Sequence, residues 1–131
     1  MDTSFIIHFL QQHFPNVMAI YAFGSRTMGM ADVNSDLDLA ILVEGYAEPL
    51  KLWEQSNQLA NELGMEVDLL DFRATSTVMQ YQILTHGERL WSKDLRADLY
   101  EAAVLSEKTN LDEARADLIQ EINKDGHVYA R

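Results

Sequence analysis

The sequence contains no cysteine, which excludes disulfide bonds and thiolate metal sites and removes any positive sign of export. Its apolar runs all fall short of the roughly 20 residues that a membrane-spanning helix needs. The first residues, MDTSFIIHFLQQHFP, include an early aspartate and no basic leader, so we expect no secretory signal. These absences predict a cytoplasmic protein with no membrane partner.

Basic residues are scarce as well. Lys and Arg number 10 against 21 Asp and Glu, which gives a formal net charge of −11. Because bare nucleic-acid binding needs clustered Lys and Arg to displace counterions, we expect no direct nucleic-acid partner. A phosphorylated ligand is still compatible with this acidity, provided that cations lie between the carboxylates and the phosphates.

Proline and glycine are few, and neither a linker nor an internal repeat divides the 131 residues. We therefore expect a single domain over 1–131, with a C-terminal helical extension over about 94–131. The order of apolar patterns indicates an α/β (α+β) fold with a small sheet of three to four strands. Strands are predicted at 17–23, 36–43 and 65–72 and after Gly87, and helices near the amino terminus and at 48–63, 76–85, 94–106 and 111–123.

Two aspartates stand at the start of the second predicted strand. Asp36 and Asp38 are two residues apart, so on a strand both carboxylates project from the same face. Two anions held so close repel each other, and a divalent cation between them resolves the conflict. Oxygen ligands without cysteine suit Mg²⁺ or Mn²⁺. Asp68, inside the third apolar strand, is a third candidate ligand.

A glycine and a serine end the first predicted strand. Gly24 allows the backbone to turn and approach a ligand closely. The following N–H groups and the Ser25 hydroxyl can cradle phosphate oxygens. Arg26 either adds a phosphate contact or forms a surface ion pair. A phosphate-binding turn beside a metal-binding strand predicts a site for a metal-bound nucleoside triphosphate.

Gly24-Ser25, ten residues and then Asp36-Leu37-Asp38, with Asp68 further on, resembles the signature of the polymerase-β-like nucleotidyltransferases. The fuller string is similar to the minimal nucleotidyltransferase (MNT) branch, many of whose members are antitoxins paired with a HEPN-family ribonuclease toxin. The resemblance implies a mixed sheet flanked by helices. It also implies two Mg²⁺ ions, with Mn²⁺ as an alternative, bound by the three aspartates, and a triphosphate held by Gly24 and Ser25.

The same resemblance implies a reaction and a partner. AMP would pass from ATP to a tyrosine of the HEPN toxin, with which the chain would form a hetero-oligomer, and Asp68 would help to deprotonate the acceptor. One alternative is an antitoxin that acts by occlusion, with a vestigial nucleotide site. Another is a small-molecule nucleotidyltransferase, although such enzymes usually need an added domain for the acceptor.

Three further features have a structural interpretation. We expect Trp53, in the helix that follows the strand with Asp36 and Asp38, to pack in the core. Stacking on a nucleotide base is the alternative. Asp71 is interpreted as a residue at the end of a strand or at the approach to a helix. A C-terminal apolar stripe, which either folds back or docks against another chain, comprises Leu111, Ala114, Leu118 and Ile122.

Overall fold

The computed structural model describes residues 3–24 and 36–109. These ranges contain four strands, four α-helices and one 3₁₀ turn. In chain order they are α1 (Thr3–His13), β1 (Val17–Phe23), β2 (Leu37–Val43), α2 (Pro49–Leu63), β3 (Val67–Asp71), a 3₁₀ turn (Phe72–Ala74), α3 (Thr77–His86), β4 (Glu88–Ser92) and the helical residues 95–109, named α4.

The four strands form one mixed sheet in the order β3-β2-β1-β4. β2 runs parallel to β3, and β1 is antiparallel to both β2 and β4. This arrangement confirms the predicted α/β class, and the predicted piece after Gly87 is β4. The third strand is shorter than predicted at both ends. It begins at Val67 instead of residue 65, and it ends at Asp71 because the chain turns into a 3₁₀ helix at Phe72. The predicted helix at 111–123 lies outside the described residues.

The sheet is apolar on both sides because helices cover both faces. Along β2, Leu39 and Ile41 pack with α1 and α2, whereas Ala40 and Leu42 pack with the 3₁₀ turn, α3 and α4. Alternate residues of a strand point to opposite faces, which explains why the run after Asp38 is wholly apolar. None of the helices in the described ranges has the length and apolar character needed to cross a membrane.

Helix α2 is fixed at both ends and holds β3 in place. Pro49 occupies its first turn, where the missing N–H costs nothing, and Gly64 ends it in the left-handed conformation with φ 69°. In the middle of the helix the Ser56 hydroxyl donates a hydrogen bond of 2.6 Å to the carbonyl oxygen of Val67. The helix is thereby attached to the first residue of β3.

A polar network that begins at the buried Tyr21 attaches α4 to the opposite face of the sheet. The Tyr21 hydroxyl, on the central strand β1, donates a 2.7 Å hydrogen bond to Glu101 Oε2. Arg89 on β4 donates to the same carboxylate at 2.9 Å and to Asp98 at 2.6 Å. Burial and the neighbouring Glu101 raise the pKa of Tyr21 well above its ordinary value, so the hydroxyl stays protonated.

We expect Tyr21→Phe to lower the unfolding free energy by about 1–2 kcal/mol, because it removes a hydrogen bond to a charged acceptor. Glu101→Ala should lower the unfolding free energy further, because it leaves the buried Tyr21 hydroxyl without its acceptor. In the Glu101→Ala background, Tyr21→Phe should have little effect or even stabilise. Urea denaturation of the two single variants and the double variant measures this coupling. Strictly additive losses would contradict the account.

Candidate active site

Three of the predicted site residues lie on neighbouring strands at one end of the sheet. Asp38 on β2 is in register with Asp68 on β3 and, on its other side, with Phe23 on β1. Gly24 follows Phe23 directly, so the three residues form a row across β1, β2 and β3. Asp36 lies one residue before β2 and is exposed, as is Asp68, whereas Asp38 is half-buried.

The carboxylates repel one another in the metal-free protein. Partial burial raises the pKa of Asp38, and the negative charges of Asp68 and Asp36 raise it further. Burial disfavours the charged form of a carboxyl group, and nearby anions act in the same direction. The site therefore holds excess negative charge that a bound cation would neutralise.

Glycine at position 24 is required by this arrangement. Its φ of 88° is a backbone conformation that residues with a side chain rarely adopt. A Cβ atom built there would also overlap Oδ2 of Asp38. Gly24 thus lets its own backbone approach the Asp38 carboxylate closely, as a ligand-binding turn beside a charged group needs.

The donor set fits a hard divalent cation. Asp36, Asp38 and Asp68 supply only carboxylate oxygens, the ligands that Mg²⁺ prefers. Within the described ranges, no group of three or more His, Asp or Glu side chains has already converged into a metal cluster. Because Asp36 and Asp68 are exposed, their carboxylates have room to turn toward a cation. Ser25 and Arg26 lie outside the described residues, so their phosphate contacts stay predictions.

A groove of about 430 Å³ opens beside Asp68, between α2 and the 3₁₀ turn, with β3 as its floor. The prediction that Trp53 packs in the core is wrong, because this side chain is 65% exposed and lines the groove. The helical spacing could have revealed this. Leu52 and Leu59 share the inner face of α2, and Trp53 lies about 100° around the helix from Leu52.

Asp71 has a structural role and does not belong to the carboxylate row. It is 4% exposed, and its Oδ2 accepts a 2.9 Å hydrogen bond from the Ala47 amide. Its Oδ1 accepts one of 3.0 Å from the Arg73 amide, which starts the 3₁₀ turn. The interpretation of Asp71 as a strand-end residue is confirmed.

Asp38→Asn should stabilise the protein at neutral pH when divalent cations are removed with EDTA. The raised pKa of Asp38 means that its charge opposes folding, and solvent screening limits the gain to about 0.5–1 kcal/mol. Below the ordinary titration range of aspartate the gain should vanish, because all the carboxyl groups are then protonated. Urea denaturation at both pH values, with the exposed Glu62→Gln as the control, tests this. Lower stability of Asp38→Asn at pH 7 would contradict the repulsion.

Comparisons with known proteins identify the family. The sequence profile described as "Polymerase beta, Nucleotidyltransferase" matches residues 5–96. The protein adenylyltransferase MntA of Shewanella oneidensis is 33% identical over 117 residues, which cover 89% of this chain and 84% of that protein.

Solved structures agree with this assignment. A crystal structure of a toxin–antitoxin with AMP-PNP has a TM-score of 0.81 at 32% identity, covering 93% of this chain and 98% of the matched chain. A complex of the tri-AMPylated Shewanella oneidensis HEPN toxin with its MNT antitoxin has a TM-score of 0.73 at 30% identity, covering 92% and 94%. The resemblance drawn from the Gly-Ser and Asp-x-Asp motifs is confirmed. The chain belongs to the polymerase beta nucleotidyltransferase family and is a homologue of the adenylyltransferase MntA.

Proposed function

We propose that this chain is an antitoxin enzyme that transfers AMP from ATP to a tyrosine of a HEPN-family toxin. The reaction would use two Mg²⁺ ions, with Mn²⁺ as a substitute, and would take place in the cytoplasm within a hetero-oligomer of the two proteins. The observation that carries the proposal is the row of Gly24, Asp38 and Asp68 across three neighbouring strands.

The relatives support the choice of donor and acceptor. One matched structure is a toxin–antitoxin with AMP-PNP, a nucleotide of the ATP type. Another contains a HEPN toxin that carries three AMP groups. The relative with 33% identity bears the name protein adenylyltransferase. An AMP-transferring antitoxin is the function that agrees with all three.

Each side chain has a role in the proposed transfer. Asp36, Asp38 and Asp68 would hold the metal ions, which when bound neutralise the triphosphate charge and polarise the α-phosphate. The turn after Gly24, with Ser25 and Arg26, would hold the triphosphate. The phenolic oxygen of the acceptor forms a bond to the α-phosphorus, while the bond to the bridging oxygen breaks and pyrophosphate leaves with the electron pair. The phenolic proton passes to the exposed Asp68 carboxylate.

Inhibition by occlusion is the rival explanation, and the requirement for ATP separates the two. The test uses the product of the neighbouring gene, which we expect to be a HEPN-family protein. Its RNase activity is measured after mixing with this chain, with and without ATP and Mg²⁺. Mass spectrometry of the mixed proteins detects any gain of AMP and its position. The proposal predicts inhibition that depends on ATP and coincides with AMP on tyrosine.

Asp38→Ala should reduce AMP transfer by at least about 100-fold, since a charge that stabilises the transition state is lost. The variant should still fold, because removal of the Asp38 carboxylate relieves the repulsion from Asp36 and Asp68. Glu62→Gln, which removes an exposed carboxylate on α2, is the matched control and should transfer AMP at the wild-type rate. Equal toxin inhibition with and without ATP, or full transfer by Asp38→Ala, would reject the enzymatic mechanism.

A further inference from the structure

The groove beside Asp68 is not used by the functions described so far. Its walls are side chains of α2 on one side and the 3₁₀ turn with the residue after it on the other. The surface is mainly apolar, and Trp53 is its large exposed side chain. The described residues that line it are Ala47, Pro49, Leu52, Trp53, Ser56, Asp68, Leu69, Leu70, Asp71, Ala74 and Thr75.

The groove is continuous with the candidate active site, because Asp68 belongs to both. Its floor is β3, which lies at one edge of the sheet formed by the described strands. An edge strand directs one row of backbone N–H and C=O groups away from the sheet, where an extended chain can pair with them. The Val67 carbonyl in this row already accepts a hydrogen bond from Ser56. That carbonyl is therefore not available to a bound segment, whereas Asp68, the next residue along β3, lines the groove in which the segment would lie.

The order of the strands indicates from which side the acceptor hydroxyl approaches the phosphorus. Gly24 follows β1, Asp38 is on β2 and Asp68 is on β3, so Gly24 and the groove lie on opposite sides of Asp38. In a phosphoryl-type transfer the attacking oxygen and the leaving oxygen lie roughly in line with the phosphorus. If pyrophosphate leaves on the Gly24 side, the acceptor hydroxyl arrives from the side of the groove.

The chemistry of the groove favours a peptide over a nucleotide. Among the described residues that line it, there is no Lys, Arg or His to offset phosphate charge, whereas Asp68 contributes an exposed carboxylate and Asp71 a buried one. An exposed tryptophan over an apolar wall is typical of an anchor point for a protein partner. Negative charge at one end of the groove disfavours an acidic segment and suits an uncharged or basic one.

We propose that this groove binds the acceptor segment of the partner protein, an extended, uncharged or basic stretch whose tyrosine reaches Asp68. The proposal rests on the proposed function and adds the surface that selects the acceptor. The transfer itself is the step already written, with the tyrosine proton passing to Asp68 and pyrophosphate leaving on the Gly24 side.

The test compares Trp53→Ala and Ala74→Glu with the wild type. The first removes the apolar anchor, and the second places a charge at an exposed position in the groove. Each should raise the KM for the product of the neighbouring gene by about tenfold, the effect of losing roughly 1.4 kcal/mol of binding. The KM for ATP should stay unchanged, and Trp53→Phe should restore most of the loss.

Leu95→Ala is the matched control, because Leu95 is exposed to a similar degree, at 73%, on α4 outside the groove. It should behave as the wild type. Calorimetric binding of the same partner without nucleotide is measured in parallel. Weaker binding by Trp53→Ala would support the groove even if no AMP were transferred, in which case the proposed function alone would fail. A raised KM for ATP with unchanged partner binding would overturn the proposal and assign the groove to the adenine base of ATP. Wild-type behaviour of both Trp53→Ala and Ala74→Glu would also overturn it.

Discussion

Mutual repulsion among aspartates at one end of a small sheet is the constraint on which this structure depends. Asp38 and Asp68 stand in register on parallel strands, and Asp36 adds a third charge nearby. A fold tolerates such a cluster at a cost in stability, and active sites are where such costs are usually found. Gly24 adds to this constraint, because its backbone lies directly against the Asp38 carboxylate.

The rest of the fold holds these charges in place. Helices on both faces supply the apolar packing that fixes the strand register, and the register decides which side chains face one another. The Tyr21–Glu101 hydrogen bond ties α4 to the central strand, and Ser56 ties α2 to β3. Asp71 accepts hydrogen bonds from the amides of Ala47 and Arg73, so partly buried polar contacts position the floor and both walls of the groove.

Local sequence patterns predicted most of this fold. The β-branched run at 17–23, the apolar run after Asp38 and Gly64 after a helical stripe each determine their own element, because their physical cause is local. The strand order and the groove were not predicted, because both depend on which elements meet in space. Trp53 shows the limit clearly: its residue type favoured the core, but its position around α2 exposes it. The closeness of Asp36 and Asp38 was predicted because their spacing is local, whereas the position of Asp68 beside Asp38 depends on the pairing of β2 with β3 and was expected only from the family resemblance.

The most direct measurement of the central claim is Mn²⁺ binding followed by electron paramagnetic resonance, with a non-hydrolysable ATP analogue present. If the aspartates form a site for a divalent cation, the wild type and Glu62→Gln will bind Mn²⁺. Asp38→Asn and Asp68→Asn will each bind Mn²⁺ at least about tenfold more weakly. Mn²⁺ binding that is absent in the wild type, or equal in all four proteins, would contradict the account.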